Sequence, residues 1–151
     1  MQGFQSNNAM DWESLAADIV DAAYHVHLRL GPGLLESVYQ AVLAHELLRR
    51  GHHVKCQVSV PFVVDEVIFE DGLRVDLLVD YCFIIELKSA EKLQPVHYKQ
   101  LLTYLRLSNQ PLGLLINFGA PTFKEGVRRL INQYYREEEF SREDTKKSKE
   151  E

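Results

Sequence analysis

The chain is poor in cysteine, and it lacks both a long apolar run and an excess of basic charge. Its two cysteines, Cys56 and Cys82, form no CxxC pair and no metal-type spacing. We interpret them as small buried side chains in a reducing compartment, with a disulfide left open. No apolar run reaches the length of about 18 residues that a membrane helix needs. No charged region followed by an apolar one opens the chain, so we expect a cytoplasmic protein without a secretory signal.

The charge balance is mildly acidic. The formal net charge is −5, and residues 137–151 carry seven acidic and four basic side chains, a net of −3, which leaves −2 for the rest of the chain. A dedicated nucleic-acid-binding domain usually has a basic surface. The composition therefore weakens a DNA- or RNA-binding interpretation without refuting it, since clustered active-site carboxylates explain part of the deficit and a metal would offset them.

Length and hydrophobic content predict a single domain. A chain of 151 residues with 46% hydrophobic residues can bury a substantial core. We place that domain at residues 11–136. Residues 1–10 are polar and unpatterned, and we expect them to be disordered or in part vector-derived, with Met10 as a candidate native start. Residues 137–151 are highly charged, and we expect a disordered tail or a frayed helix.

Hydrophobic periodicity predicts alternating helices and strands. Gly31-Pro32-Gly33 and Gly51 are expected to end the first two helices, and Asp71-Gly72 is typical of a hairpin turn. In chain order the predicted elements are a helix over Asp11–Leu30, a helix over Leu34–Arg50, strands at Val54–Val64, Val67–Phe69, Leu73–Val79 and Phe83–Lys88, a helix over Pro95–Leu107, a strand at Leu112–Asn117 and a helix over Phe123–Tyr135.

The stretch from Arg74 to Lys88 is the most informative. Two short apolar runs, Val75–Val79 and Phe83–Leu87, are typical of buried strands, and residues 80–82 between them suit a tight turn. A three-residue turn pairs Val79 with Phe83. The antiparallel register then places Asp76 opposite Glu86, although a turn one residue longer or shorter would separate them.

Two opposed carboxylates destabilise a sheet unless something compensates them. Directly opposed Cβ atoms lie roughly 5 Å apart, and a divalent cation is the usual compensation for a buried pair. Lys88, on the same face as Glu86, completes a candidate site for phosphate chemistry. Alternatively, Asp76 and Glu86 are edge-strand charges with Lys88 as their counter-ion, but the apolar residues between them favour central strands.

Two further segments place polar residues where they could join this site. His97, Gln100 and Tyr104 fall at spacings of three and four and therefore share one helix face. An amide and a phenol there could support Lys88 or position a phosphate, although a half-buried polar seam also explains the spacing. Glu36 lies in the first turn of the second predicted helix, where the helix dipole alone would favour a carboxylate.

Several separated segments, in the same order, resemble the family named after its GxxExxY motif. The similarity spans about Ile19 to Ile131, and one departure is Val75, which stands where a proline precedes the aspartate in many relatives. The matching segments are Val26-His27, Leu30-Gly31-Pro32, Gly33-x-x-Glu36-x-x-Tyr39, Arg74-Val-Asp76-Leu-Leu-Val, Ile85-Glu86-Leu-Lys88, Pro95-Val-His97, Gln100-Leu-Leu-Thr-Tyr104-Leu and Gly113-Leu-Leu-Ile-Asn117-Phe.

The resemblance implies a fold and a chemistry. That family is placed in the PD-(D/E)xK nuclease superfamily, so it implies an α/β fold of the α+β type with a restriction-endonuclease-like core, in which helices flank a central mixed sheet in the order αβββαβ. It also implies phosphodiester hydrolysis that depends on Mg²⁺ or Mn²⁺. The Gln100-x-x-x-Tyr104 spacing is similar to that of the branch containing helicase-associated and phage exonucleases. Among nucleic acids, we expect DNA rather than RNA as the substrate.

The resemblance also implies roles for individual residues. Asp76, Glu86 and the backbone carbonyl of Leu87 would bind the metal, with Glu36 as a further ligand. Lys88 would orient the attacking water or stabilise the transition state. The supporting or substrate-binding residues would be Gln100, Tyr104, His97 and Arg74.

The histidines do not form a zinc site. They fit neither an HExxH motif nor another closed zinc set. We expect His52 and His53 to be solvated beside a turn and His27 to be packed and hydrogen-bonded, and we place His97 nearest to the substrate.

Three classes of function remain open. A metal-dependent nuclease is favoured by the complete set of matching residues. A non-enzymatic module that binds nucleic acid or protein would fit the acidic balance, and a small-phosphoester hydrolase would fit a site without a basic groove. The small size of the chain makes a homodimer or a partner protein plausible.

Overall fold

The computed structural model describes residues 11–137, in which helices lie on both faces of one sheet. The predicted segments at residues 1–10 and beyond residue 137 fall outside the described residues. In chain order the elements are α1 (Trp12–Leu30), α2 (Glu36–Arg49), β1 (Val54–Val64), β2 (Val67–Val79), β3 (Phe83–Lys88), α3 (Pro95–Leu107), β4 (Leu112–Asn117), α4 (Phe123–Gly126) and β5 (Val127–Ile131).

The strands lie side by side in chain order, from β1 to β5. β1, β2 and β3 are antiparallel neighbours, β3 and β4 are parallel, and β4 and β5 are antiparallel. A parallel pair needs a long connection, and here α3 makes it. The mixed α/β architecture with helices around a central mixed sheet confirms the expected nuclease-like fold.

Two hydrophobic layers cover the sheet. On one face α1 and α2 bury Ile19, Val26 and Leu43 against Leu77, Ile85 and other strand residues. On the other face α3 packs Leu101 and Leu105 against Ile84 and Leu115. Because both faces of β3 and β4 are covered, these strands are almost wholly apolar. Glu86 is therefore unusual, because it is an ionisable residue inside the otherwise apolar part of β3.

The β1–β2 hairpin corrects one turn prediction. Asp71-Gly72 is not a turn, because β2 continues through it as a single strand. The chain reverses instead at Asp65 and Glu66, both of which have positive φ angles (49° and 66°), as a two-residue type I′ turn requires. A Cβ on Gly72 would lie 2.2 Å from the ring of Phe62, so this glycine makes room for an aromatic side chain.

The last predicted helix is also wrong. Only Phe123–Gly126 is helical, and Val127–Ile131 forms the edge strand β5 beside β4. Val127, Leu130 and Ile131 fit a helical spacing as well as a short strand, so periodicity alone could not decide between them.

Some apolar side chains are more exposed than their place in the sequence suggests. Leu35 and Val38 are apolar residues of the predicted helix over Leu34–Arg50, yet both are exposed. Cys56, on the edge strand β1, is exposed rather than buried, and Cys82 is half-buried. Within residues 11–137, no helix is long and apolar enough to cross a membrane.

His52 is not solvated as expected, because it joins α1 to the β2–β3 turn. Its Nε2 contacts the carboxylate of Asp18, and its Nδ1 lies 2.7 Å from Oδ2 of Asp80. Arg50 reaches the same Asp18 at 2.7 Å. Burial disfavours the charged form of His52, but hydrogen bonds to Asp18 and Asp80 outweigh it and raise the pKa of His52 above 6.5.

This arrangement predicts a pH dependence of stability. A histidine whose pKa is raised in the folded state contributes its full stabilisation below its unfolded pKa and loses it as pH rises through the folded pKa. We expect the wild type to exceed His52→Gln in unfolding free energy by about 1 kcal/mol at pH 6, and the difference to shrink as pH rises above 6.5. Urea unfolding of both proteins from pH 6 to 9 measures this, and a constant difference would contradict it.

Candidate active site

β2 and β3 separate at Asp76. Their regular pairing covers Val79↔Phe83, Leu78↔Ile84 and Leu77↔Ile85 and then ends. The three-residue turn and its register are therefore as predicted. Regular strand alternation would put Val75 and Leu77 on one face of the sheet, but Val75 packs in the α3 layer and Leu77 packs in the α1–α2 layer. The strand thus changes its alternation at Asp76.

Beyond this point, the Asp76 and Glu86 carboxyl groups bind backbone N–H groups of the opposite strand in place of the regular backbone pairing. The backbone N–H of Asp76 donates to Oε1 of Glu86 at 3.2 Å, and the N–H of Leu87 donates to Oδ2 of Asp76 at 2.8 Å. These reciprocal hydrogen bonds bring the two carboxyl groups together. The predicted meeting of Asp76 and Glu86 is found, although carboxylate-to-backbone bonds, rather than a continuous ladder, hold it.

The environment of Glu86 makes its charge costly. Glu86 is 6% exposed, and burial together with the neighbouring Asp76 carboxylate raises its pKa to about 8. Lys88 acts in the opposite direction, as the positive charge of this cluster. At neutral pH the protonated form of Glu86 is therefore favoured, and a cation at this point would take over the role of that proton.

A pocket of about 660 Å³ opens beside Asp76, between α2 and the sheet. Both hydrophobic and polar groups line it. Its lining residues are Leu34, Leu35, Glu36, Ser37, Gln40, Gln57, Asp76, Leu87 and Ser89. Of the predicted ligands, Glu36, Asp76 and Leu87 thus face one cavity, and Glu86 contacts Asp76 beside it.

The loop before α2 positions Glu36. Gly33 has a φ of 103°, which favours glycine, and it leads the chain into the first turn of α2. Ser89, directly after Lys88, holds this loop against the sheet, because its hydroxyl donates to the Leu34 carbonyl at 2.6 Å and its N–H donates to Oε1 of Glu36 at 3.4 Å. Glu36 therefore contacts the residue that follows β3. A favourable interaction with the helix dipole does not by itself explain this contact.

Tyr39 of α2 also holds the loop before α2 in place. Its hydroxyl donates to the Gly31 carbonyl at 2.5 Å and accepts from the Leu34 N–H at 3.2 Å. The ring is fully buried and stacks on Phe118 with centroids 4.4 Å apart. The glycine and tyrosine of Gly33-x-x-Glu36-x-x-Tyr39 are thus structural, and they hold the glutamate at the pocket.

Asn117 supports the segment after Lys88. Lys88 pairs with Asn117 across β3 and β4, and the buried Asn117 amide both accepts from the Ala90 N–H at 3.0 Å and donates to the Ala90 carbonyl at 2.8 Å. The Asn117 oxygen also accepts from the Gly119 N–H at 3.0 Å. The start of the β3–α3 loop is therefore held by one side chain.

The remaining predicted residues lie outside the pocket lining. Gln100 and Tyr104 do share a face of α3, where the Gln100 amide donates to the Tyr104 hydroxyl at 2.9 Å. His97 accepts from the Gln94 N–H through Nδ1 and caps α3. Arg74 is exposed on β2 opposite Ser59.

Two further residues lie at the site although no sequence pattern predicted them. Gln57 of β1 donates to Oδ1 of Asp76 at 2.9 Å and to Oε1 of Gln40 at 2.7 Å. Gln57 is exposed and Gln40 is half-buried. Neither glutamine belongs to a recognisable motif, and only the fold brings them to Asp76.

The donor chemistry fits a divalent cation. The Asp76 and Glu86 carboxyl groups hydrogen-bond to each other, Glu36 lines the same pocket as Asp76, and hard oxygen ligands are those that Mg²⁺ and Mn²⁺ prefer. Over residues 11–137, however, no three His, Cys, Asp or Glu side chains are already grouped as metal ligands. Asp76 and Glu86 each accept a hydrogen bond from a backbone N–H group, and a carboxylate oxygen that accepts one hydrogen bond keeps a lone pair for a cation.

Comparison with known proteins agrees with the fold. No curated protein and no solved structure matches the chain significantly. A sequence-family comparison, however, matches residues 13–130, which include every predicted site residue. It does not distinguish the GxxExxY family from other branches. Since the match covers most of the chain, the protein belongs to the PD-(D/E)XK nuclease superfamily.

Proposed function

We propose that this protein is a Mg²⁺- or Mn²⁺-dependent nuclease that hydrolyses phosphodiester bonds, with DNA as the preferred substrate. The observation that carries the proposal is the contact between Asp76 and the buried Glu86, beside a pocket lined by Glu36. A purely structural role does not explain a carboxyl group whose burial, together with the neighbouring Asp76 carboxylate, raises its pKa to about 8.

Each residue of the site has a proposed role. Asp76, Glu86 and the Leu87 carbonyl would hold the cation, and Glu36 would add a ligand from the first turn of α2. When bound, such a cation would supply a water of lowered pKa and would offset the negative charge of the phosphate. Lys88 orients that water or stabilises the charge that develops on the phosphate.

The helix α3 provides the proposed substrate contacts. Gln100 and Tyr104 are linked by a hydrogen bond and present their remaining polar atoms from one helix face. We assign them to anchoring the phosphate, with His97 and Arg74 as supporting residues. The preference for DNA rests on the similarity of this Gln-x-x-x-Tyr spacing to that of helicase-associated and phage exonucleases.

A non-catalytic binding module is the second candidate. Hydrogen bonds from backbone N–H groups stabilise Asp76 and Glu86 without a metal, and the chain has a net charge of −5. A protein that keeps the nuclease fold only to bind nucleic acid or another protein would show these features. It would bind no divalent cation at this site.

A comparison of wild type with Lys88→Gln separates the candidates. We expect both proteins to bind Mg²⁺ and Mn²⁺ with similar affinity in calorimetry, because Lys88 is not a ligand. Cleavage by Lys88→Gln should fall by about 10²- to 10³-fold, since a group that stabilises transition-state charge is lost. The substrates are linear, nicked and branched DNA and single- and double-stranded RNA. If the wild type binds neither cation and cleaves none of them, the binding module is the better explanation.

A further inference from the structure

Gln57 has a backbone conformation that its position in the chain does not explain. Its φ angle is 49°, in the left-handed region that side chains with a Cβ rarely adopt. The other non-glycine residues with positive φ in the described chain are Asp65, Glu66, Asp80, Tyr81 and Asn109, all outside helices and strands. Gln57 alone of these lies within a strand.

The strained residue lies directly beside Asp76. β1 and β2 pair at Cys56↔Leu77 and at Val58↔Val75, with the same register on both sides, but Gln57 and Asp76 between them do not pair. Both strands therefore depart from regular geometry at the same point, and this point is the wall of the pocket. Gln57 is exposed, so burial of its side chain does not compensate the strain.

What the strained conformation provides is a pair of hydrogen bonds. The Gln57 amide nitrogen lies 2.9 Å from Oδ1 of Asp76 and 2.7 Å from Oε1 of Gln40. An ionised aspartate only accepts hydrogen bonds, so the Gln57 side chain must present its NH₂ group to it. Both hydrogens are then used, and the NH₂ group is held between α2 and β2.

The second oxygen of Asp76 is held from the other side. Oδ2 accepts from the backbone N–H of Leu87 at 2.8 Å, so donors on β1 and β3 fix the two carboxylate oxygens separately. A carboxylate held at both oxygens cannot rotate freely, and its orientation toward the pocket is set before any ligand arrives.

We propose that Gln57, supported by Gln40, is a positioning residue that orients the Asp76 carboxylate for cation binding. The inference rests on the proposed nuclease function and adds to it two residues that the family resemblance does not include. The left-handed backbone conformation of Gln57 is what allows a residue of the edge strand β1 to place its side-chain amide beside Asp76.

The test uses Gln57→Gly and Gln57→Asn. Glycine and asparagine both tolerate positive φ, so both variants should melt at the wild-type temperature or above it. Glycine removes the amide, and asparagine is one methylene shorter and should not span the gap to Asp76 and Gln40. We expect the Kd for Mn²⁺, measured by calorimetry, to rise by about 10-fold or more in each, as for other groups that orient metal ligands.

Saturation with metal gives a second readout. Because only the orientation of a ligand is disturbed, cleavage by Gln57→Gly should return to within a few-fold of wild type at saturating Mn²⁺. Gln40→Glu keeps an acceptor for Gln57 and should bind Mn²⁺ at least as well as wild type, whereas Gln40→Leu should bind it more weakly. Glu66→Gly, which relieves the same strain in the distant hairpin turn, should leave the Kd unchanged.

The outcomes separate this proposal from the nuclease proposal. If the wild type binds no Mn²⁺ and cleaves nothing, the proposed function fails. If the wild type binds and cleaves but Gln57→Gly equals it in Kd and in cleavage at limiting Mn²⁺, only the positioning role is overturned. A raised Kd in Gln57→Gly that saturating Mn²⁺ does not correct would assign Gln57 to the chemical step and would also overturn the positioning role.

Discussion

Asp76→Asn is expected to reduce metal-dependent cleavage by at least about 10³-fold while the fold is retained. Both oxygens of Asp76 accept hydrogen bonds, from Gln57 and from the N–H of Leu87. An asparagine keeps one acceptor and places an NH₂ group against one of these donors. It also lacks the negative charge that a cation requires at this point, so metal affinity and cleavage should be lost together.

The same substitution should change how stability depends on pH. The pKa of Glu86 is raised to about 8 by burial and by Asp76. A carboxyl group with a raised pKa destabilises the folded state progressively as pH increases from its unfolded pKa to its folded pKa. Removal of the Asp76 charge lowers the Glu86 pKa, so Asp76→Asn should gain stability relative to wild type between pH 5 and pH 8.

Three measurements on one pair of proteins check this prediction. They are Mn²⁺ calorimetry, cleavage assays, and urea unfolding at pH 5 and pH 8. Asp71→Asn is the matched control, because it makes the same chemical change on the exposed part of β2 and should alter none of the three. Metal-dependent cleavage by a contaminant-free Asp76→Asn protein would show that Asp76 is not a metal ligand.

Asn117→Leu should produce the largest loss of stability, roughly 3 kcal/mol. Asn117 is 3% exposed and makes hydrogen bonds with the N–H and carbonyl of Ala90 and with the Gly119 N–H. Leucine is of similar size, so it leaves these backbone groups without their partner. The loop cannot easily shift to compensate, because Gly119 is so close to Ala90 that an added Cβ would lie 2.5 Å from the Ala90 carbonyl oxygen.

The loss of stability should be accompanied by a functional effect. The loop that Asn117 holds begins directly after Lys88, and Ser89 within it contacts the Glu36 loop. We expect Asn117→Leu to show reduced cleavage at temperatures where it remains folded. Urea unfolding and cleavage assays measure the two effects, with Gln133→Leu as an exposed amide control. A stability within 1 kcal/mol of wild type would contradict the proposed importance of this side chain.

Local chemistry made the centre of the fold predictable. The bounds of β1, β3, α3 and β4 agree with the sequence analysis, because short apolar runs between turn residues and a proline at a helix start leave few alternatives. The Val79↔Phe83 register was predictable for the same reason, since a short turn between two buried strands fixes the pairing.

Tertiary contacts decided what the sequence could not. β5 has no pattern that distinguishes it from a helix, and its pairing with β4 determines its conformation. Gly72 was predicted to belong to a turn, but it lies within β2, where the ring of Phe62 leaves no room for a Cβ. The irregularity of β1 at Gln57 and the shift of Val75 to the other face of the sheet arise where two strands separate around the site. Strand alternation assumes regular pairing, so it fails at this point.

The position of β4 has a consequence for synthesis on the ribosome. All proposed metal ligands and Lys88 lie between residues 36 and 88, yet β4 pairs with β3 only after residues 112–117 have been made. Asn117, which holds the loop after Lys88, comes last in that strand. A nascent chain therefore carries every proposed catalytic side chain well before it can assemble them. We expect activity to appear abruptly, only once β4 and β5 have left the exit tunnel and completed the sheet.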